Sequence, residues 1–144
     1  MDDRPDPATP LLRAYADAVQ ARDREALLAL YDPAVRVFDA WDRWAHDATG
    51  WRAAVADWFA ALEHERMTVR FDDVRVRADA ALASCDAFVE YVALAADGAP
   101  LRTMANRLTW VLARTDAGWR IVHEHSSAPV EFASLRAKTS RDAP

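Results

Sequence analysis

Residues 101–129 read LRTMANRLTWVLARTDAGWRIVHEHSSAP. Alternation of apolar and polar residues runs along both sides of Asp116-Ala117-Gly118, so the stretch predicts two long antiparallel strands joined by a tight turn. The same two-residue period extends back to Thr68. It gives strands near 68–78, 82–95, 101–113 and 119–127, with turns at Asp79-Ala80, Asp97-Gly98 and Asp116–Gly118. In the third of these strands Met104, Leu108, Trp110 and Leu112 share one face, while Ala105, Thr109 and Val111 occupy a milder other face. In the last strand Trp119 and Ile121 oppose Val122. Neither face is purely polar. A sheet covered by helices on one side and by a second subunit on the other accounts for this, which predicts at least a homodimer.

The N-terminal half has a helical period. Thr9-Pro10 reads as N-cap and first helical residue, after a disordered leader over 1–8. Leu12, Tyr15, Ala18 and Val19 form one face of the helix that follows. Asp23 caps a second, shorter helix with Leu27, Leu28, Leu30 and Tyr31 on its apolar side, stopped by Asp32-Pro33. Val35–Trp41 reads as a strand with Val35, Val37, Asp39 and Trp41 on one face. After a polar loop, Thr49 caps a third helix bearing an aromatic stripe of Trp51, Val55, Trp58, Phe59 and Leu62. Three helices followed by a run of antiparallel strands define an α+β domain, with the helices packed on one face of a strongly curved, mostly antiparallel sheet. That domain spans 9–132, and 133–144 form a polar tail expected to be disordered.

Composition narrows the function. The chain has 144 residues, enough for one domain and a sizeable core, with 52% hydrophobic and 28% charged residues. Net charge is −5, and no basic run or RNA-binding aromatic motif occurs, which argues against nucleic acid as a partner. No apolar run reaches the length of a membrane span. The start MDDRPDPATP is acidic and proline-bearing, the opposite of a signal peptide. Cys85, the single cysteine, allows no internal disulfide, and together these features predict a cytosolic protein.

Several residues are candidates for chemistry. Asp39, on a face with Val37 and Trp41, would be desolvated, and desolvation raises a carboxyl pKa toward values useful for proton transfer. The alternative is a wet strand-end aspartate that caps the next loop. Glu90 interrupts the apolar stretch Ala87-Phe88-Val89-Glu90-Tyr91-Val92 and needs a partner or a pocket. A symmetric turn about Asp97–Ala99 offers Arg107 as a cross-strand partner. His123 and His125 share a strand face, but no further Cys/His cluster supports a metal, so roles within the sheet or at a subunit interface are expected. Ser126-Ser127 lack the glycine elbow of a nucleophilic serine. Trp51 and Trp58 belong to the core or touch a ligand.

The final hairpin, ending in Trp119-x-Ile121-Val122-His123-Glu124-His125, resembles the nuclear transport factor 2-like superfamily, which includes ketosteroid isomerases, SnoaL-like polyketide cyclases and the association domain of calcium/calmodulin-dependent kinase II. The resemblance covers about Leu11 to Phe132 and implies a cone-shaped fold with a pocket. In the isomerases an aspartate at the end of the first strand is the general base and a tyrosine on the first helix donates to the developing enolate. A gap-free alignment over Leu30–Asp39 carries these roles to Asp39 and Tyr15. The second donor of the isomerases is a protonated aspartate on the strand matching 101–113. This strand holds no acidic residue, and Leu108 or Trp110 falls nearest the place. The kinase association domain resembles the chain from Arg102-Thr103 to His125 and carries a pocket-facing arginine at the position of Glu90. That likeness implies a pocket face of Glu90, Trp110, Glu124 and Ser126, with His123 and His125 turned away beside Trp119 and Ile121. Such a pocket favours a neutral or cationic ligand over a carboxylate. The resemblance thus implies a hydrophobic small-molecule ligand walled by Trp41, Trp58 and Trp110, with no cofactor or metal. The protein is then either an isomerase, cyclase or dehydratase based on Asp39, or a non-catalytic ligand-binding or oligomerisation module.

Overall fold

The computed structural model describes residues 6–141. Three helices, α1 (Ala8–Ala21), α2 (Arg24–Leu28) and α3 (Ala48–Leu62), accompany five strands: β1 (Tyr31–Phe38), β2 (Arg66–Ala78), β3 (Leu82–Leu94), β4 (Pro100–Thr115) and β5 (Gly118–Ser127). The strands form one sheet in the order β1-β5-β4-β3-β2, antiparallel except for the parallel pair β1 and β5. The expected α+β architecture, helices on one face of a curled sheet, is therefore present. No helix among the described residues is long and apolar enough to cross a membrane.

Helix starts differ from the expected caps by one or two residues. The first helix begins at Ala8, and the Asp6 carboxylate rather than Thr9 accepts from the N–H groups of Ala8 and Thr9, which have no partner within the helix. The five residues before Asp6 lie outside the described residues. Helix α3 is capped by Asp47, whose Oδ1 accepts from Gly50 N at 2.8 Å, and not by Thr49. The cap is tight enough that a Cβ at Gly50 would come within 3.3 Å of both Asp47 Oδ1 and His46 Nδ1, so glycine suits that position.

The β1 boundary is a correction. Tyr31 opens the strand and is not part of the α2 face, and Phe38 closes it, so Asp39 and Trp41 sit in the following loop. The reason is tertiary: Ile121 N donates to Leu30 O and Tyr31 registers against Ile121, so the parallel partner β5 recruits residues whose local pattern is helical. Asp32 and Pro33 are tolerated near the start of an edge strand.

The core lies between the helices and the inner sheet face. Leu12, Tyr15 and Val19 of α1 and Trp51, Val55 and Leu62 of α3 meet Cys85, Val89, Leu108, Trp110 and Leu112. Burial pushes the Cys85 thiol up to about 11, as suits an inert core residue. At the tip of the last hairpin Gly118 has φ +98°, a backbone state that disfavours side chains. Further along, Val111 pairs with His123 but Leu112 with Ile121, which leaves Val122 as a bulge. The bulge switches the side-chain parity of β5. Ile121, Glu124 and Ser126 all face inward, whereas His123 and His125 face out with Phe38. The expected grouping of the histidines with Ile121 is thus broken by one inserted residue.

The segment after β5 also differs from a free tail. Val130 bridges Ala137, Thr139 O accepts from Ala105 N at 2.8 Å, and the Arg141 guanidinium lies 3.6 Å from the centre of the Phe88 ring. Strand β5 ends opposite Arg107, so the next stretch of the β4 edge would otherwise stay unpaired, and the tail occupies it.

Candidate active site

A cavity of about 740 Å³ opens between α3 and the inner sheet face. Its apolar wall comes from Trp51, Val55, Trp58 and Leu62 of α3 and from Met67 and Leu108 of the sheet. The 39–47 loop forms part of its mouth. Val37 and His46 exchange backbone hydrogen bonds of 2.9 and 2.8 Å, which fold that loop back and bring His46 to the cavity wall. Trp41, about half exposed, also lines the mouth.

Two carboxylates face this space. Asp39 follows directly from the end of β1, and its Oδ1 accepts from the Ser126 hydroxyl at 3.2 Å. Burial raises the Asp39 pKa, outweighing the opposing hydrogen bonds from Ser126 and the backbone of Ala40 and Trp41. Glu124, 3% exposed, projects inward from β5. Its Oε1 accepts from Tyr31 Oη at 2.6 Å and from Trp110 Nε1 at 2.8 Å. Burial still dominates and moves its pKa up to about 7, with the charge of Asp39 adding to the rise. Among the described residues neither carboxylate is in an ion pair.

A hydroxyl pair faces the same cavity. Tyr15 Oη of α1 and Tyr91 Oη of β3 are 2.9 Å apart, and burial raises both phenol pKa values well above 10. Both therefore stay protonated donors at neutral pH. In such a pair one hydroxyl donates to the other, and the acceptor keeps its own O–H for a third group.

The sequence-derived residues thus divide. Tyr15, Asp39, Trp41, Trp58, Glu124 and Ser126 all line the cavity. Trp110 is fully buried behind it and acts on Glu124. Glu90 and Arg107 are corrections, because both project from the outer sheet face. Glu90 pairs with Ala105 and Arg107 with Phe88, so the register is offset from the expected pairing. Glu90 instead lies 3.5 Å from Arg70 of β2, and Arg107 Nε donates to Ser127 Oγ at 3.1 Å. Tyr31, Tyr91, His46 and Asn106 were not singled out by the sequence. The parity of β3, which turns Val89, Tyr91 and Ala93 the same way, is the signal that would have found Tyr91.

Among the described residues no three His, Cys, Asp or Glu side chains converge as a metal site. His123 Nδ1 lies 2.8 Å from Arg36 O, a role within the sheet.

The family model for the SnoaL-like domain matches residues 9–131. The sequence matches no curated protein. Among solved structures the chain is similar to a nuclear transport factor 2-like protein of unknown function from Pseudomonas putida, with TM-score 0.82 and 20% identity over 94% of each chain. It is also similar to a candidate dehydratase of the same family from Streptomyces avermitilis, with TM-score 0.73 and 20% identity over 87% of this chain and 95% of that one. A third likeness is to a candidate calcium/calmodulin-dependent kinase II association domain from Xanthomonas campestris, with TM-score 0.69 and 19% identity over 91% and 96%. At these identities the likeness carries the fold alone.

Proposed function

The chain belongs to the SnoaL-like domain family, and on that premise we propose that it is a cofactor-independent enzyme that moves a proton on a hydrophobic small molecule held in the cavity. The observation that carries this reading is Asp39: a carboxylate at the cavity wall, raised in pKa by burial, and paired with a serine hydroxyl rather than a cation.

The geometry supports a simple sequence. The Asp39 carboxylate removes a proton from a carbon next to a carbonyl. The electron pair moves onto the carbonyl oxygen, and the Tyr15–Tyr91 pair supplies a hydrogen bond to the developing oxyanion. Protonated Asp39 then returns the proton, either to a different carbon or to a departing hydroxyl, giving isomerisation or dehydration. Trp41 and Trp58 supply apolar surface for the rest of the substrate. The second acid of the isomerases has no counterpart on β4. Trp110 already donates to Glu124, and the tyrosine pair is the hydroxyl donor that faces the cavity.

The competing reading, a non-catalytic module, would leave Asp39 in a salt bridge and the space filled by the protein's own tryptophans. Among the described residues Asp39 has no ion-pair partner, and Trp51 and Trp58 line the cavity without filling it. The part-exposed Val92 and Val111 on the outer sheet face support a homodimer through that face. Light scattering should return twice the chain mass, and a monomer would refute the dimer.

Tryptophan fluorescence and thermal shift against hydrophobic enones, steroids and aromatic polyketides test the enzyme reading, with Asp39→Asn beside wild type. Binding retained by Asp39→Asn with conversion lost supports it. Conversion unchanged in Asp39→Asn refutes Asp39 as the base.

A further inference from the structure

His46 is a buried polar side chain of the cavity that proton removal by Asp39 leaves unused. It sits on the returning arm of the 39–47 loop, paired antiparallel with Val37 through backbone hydrogen bonds of 2.8 and 2.9 Å. Antiparallel partners carry their side chains on one face, and Val37 is fully buried, so the pairing turns the imidazole inward. Asp39, two residues past Val37, lines the same cavity. The two side chains are close enough that a positive His46 lowers the Asp39 pKa. Gly50 leaves room for the ring, because a Cβ there would come within 3.3 Å of His46 Nδ1.

His46 is 9% exposed, and its ring packs 5.6 Å from that of Trp51. Its hydrogen bonds among the described residues are those of its backbone. The polar atoms that are both partnerless and sealed in by protein are Trp51 Nε1 and Asn106 Oδ1, so the His46 ring nitrogens stay reachable. An apolar ring would fill the same place without leaving two polar atoms unpaired. An imidazole held rigidly in a cavity wall, unpaired and reachable, is suited to proton transfer.

We infer that His46 is the general acid of the site, giving a proton to a hydroxyl that leaves the substrate while Asp39 takes a proton from the neighbouring carbon. The reaction is then the elimination of water from a β-hydroxy carbonyl compound. The C–H bond next to the carbonyl breaks and its proton goes to Asp39. The electron pair forms the carbon–carbon double bond, the C–O bond breaks, and the oxygen leaves as water with the proton from His46. Asp39 ends protonated and His46 neutral. One proton passing from Asp39 to His46 restores both, so no co-reactant is consumed.

The other donors of the cavity suit this role less well. Arg43 and Arg102 line it, but a guanidinium does not give up its proton, and Arg102 is held by Glu65 at 2.6 Å. The Trp51 N–H is sealed, and the Asn106 amide, whose oxygen is sealed, offers an NH2 group that is a donor but not an acid. The phenols of Tyr15 and Tyr91 keep their protons and are placed for the oxyanion. Glu124 has one oxygen already committed to Tyr31 and Trp110.

This inference rests on Asp39 being the base, and its test separates the two. The probes are the aldol adduct of benzaldehyde and acetone, a β-hydroxy ketone, and its para-nitrophenyl ether. Both give the same enone, but para-nitrophenolate departs without a proton and hydroxide does not. Wild type is expected to convert both, and Asp39→Asn neither. His46→Gln should slow the aldol by about a hundredfold or more and leave the ether nearly unchanged, which also shows that the variant is folded. Equal slowing of both probes by His46→Gln would mean that the residue only shapes the site, and would overturn the inference. So would unchanged conversion of the aldol, or a selective loss of the aldol in Glu124→Gln and not in His46→Gln. Wild type converting the ether alone would overturn the acid and leave the base intact. Conversion of neither probe by wild type would remove the enzyme reading along with the inference.

Discussion

The Trp110 indole donates to Glu124 Oε1 across the β4–β5 ladder at 2.8 Å, with both residues buried. Tyr31 donates to the same oxygen at 2.6 Å. Two donors on one oxygen favour the charged form, but full burial without a cation opposes it more strongly, and the pKa comes to about 7. The result is a carboxyl group that is partly protonated at neutral pH and held rigidly behind the reacting space.

That group makes stability pH-dependent. Its folded pKa of about 7 exceeds its unfolded value of 4.5, so between these values the folded state binds more protons than the unfolded one. Its contribution is fully present below about pH 4.5 and is lost as pH rises through 7. Glu124→Gln keeps an oxygen for Tyr31 and Trp110 but cannot ionise. The variant should be more stable than wild type at pH 8, by about 1–3 kcal/mol, with the advantage shrinking toward pH 5. Denaturant melts across pH 5–8 check this, and parallel curves for the two proteins would contradict it.

Tyr15 and Tyr91 should behave as one unit. The two part-buried hydroxyls are each other's hydrogen-bond partner, so Tyr15→Phe or Tyr91→Phe alone leaves the other hydroxyl without that partner and should destabilise by about 1–2 kcal/mol. The double variant removes both hydroxyls, and its loss should be well below the sum of the two single losses. Additive losses in a double-mutant cycle would mean that the hydroxyls do not depend on each other.

The strands from β2 onward were legible because their side chains alternate and their turns carry Asp and Gly. The core face of α1 was legible from its spacing, and Asp39 and Tyr15 from the resemblance. What was not legible depends on pairing between distant segments. Tyr31 reads as helical in its local window, and the parallel partner β5 makes it a strand residue. Glu90 and Arg107 do share a face, but the turn centre fell one residue from the symmetric choice and placed Ala105 opposite Glu90. The inward turn of Ile121 with Glu124 depends on the bulge at Val122, which no composition signal marks.

Ser126 offers a direct test of how Asp39 is tuned. Its hydroxyl bonds Asp39 Oδ1 at 3.2 Å and works against the burial that raises the Asp39 pKa. Ser126→Ala removes that stabilisation of the charged form, so the Asp39 pKa should rise further. A carbon-13 carboxyl titration should show the Asp39 midpoint moving upward. If Asp39 is the base, the acidic limb of the pH–rate profile should move upward with it. An unmoved titration would remove Ser126 from the tuning of Asp39.

The C-terminal segment tests how the sheet edge is closed. Thr139 O takes the Ala105 N–H that β5 is too short to reach, Lys138 N donates to Pro129 O at 2.7 Å, and Arg141 covers Phe88. Thr139 also lines the cavity, so the segment closes one side of the site as well as the strand edge. Ending the chain after Ala137 removes the Thr139 hydrogen bond to β4, the Lys138 hydrogen bond to Pro129 and the Arg141 cation–π contact. The global loss should be only about 1–2 kcal/mol. Locally the effect should be large, because the Ala105 amide then faces solvent and its hydrogen exchange should accelerate far more than that of Val89 or Leu112 in the core. Unchanged Ala105 exchange in the truncated protein would show that the tail does not protect this edge. Acceleration at Ala105 with Val89 and Leu112 unchanged would show that the tail guards this strand edge and not the core.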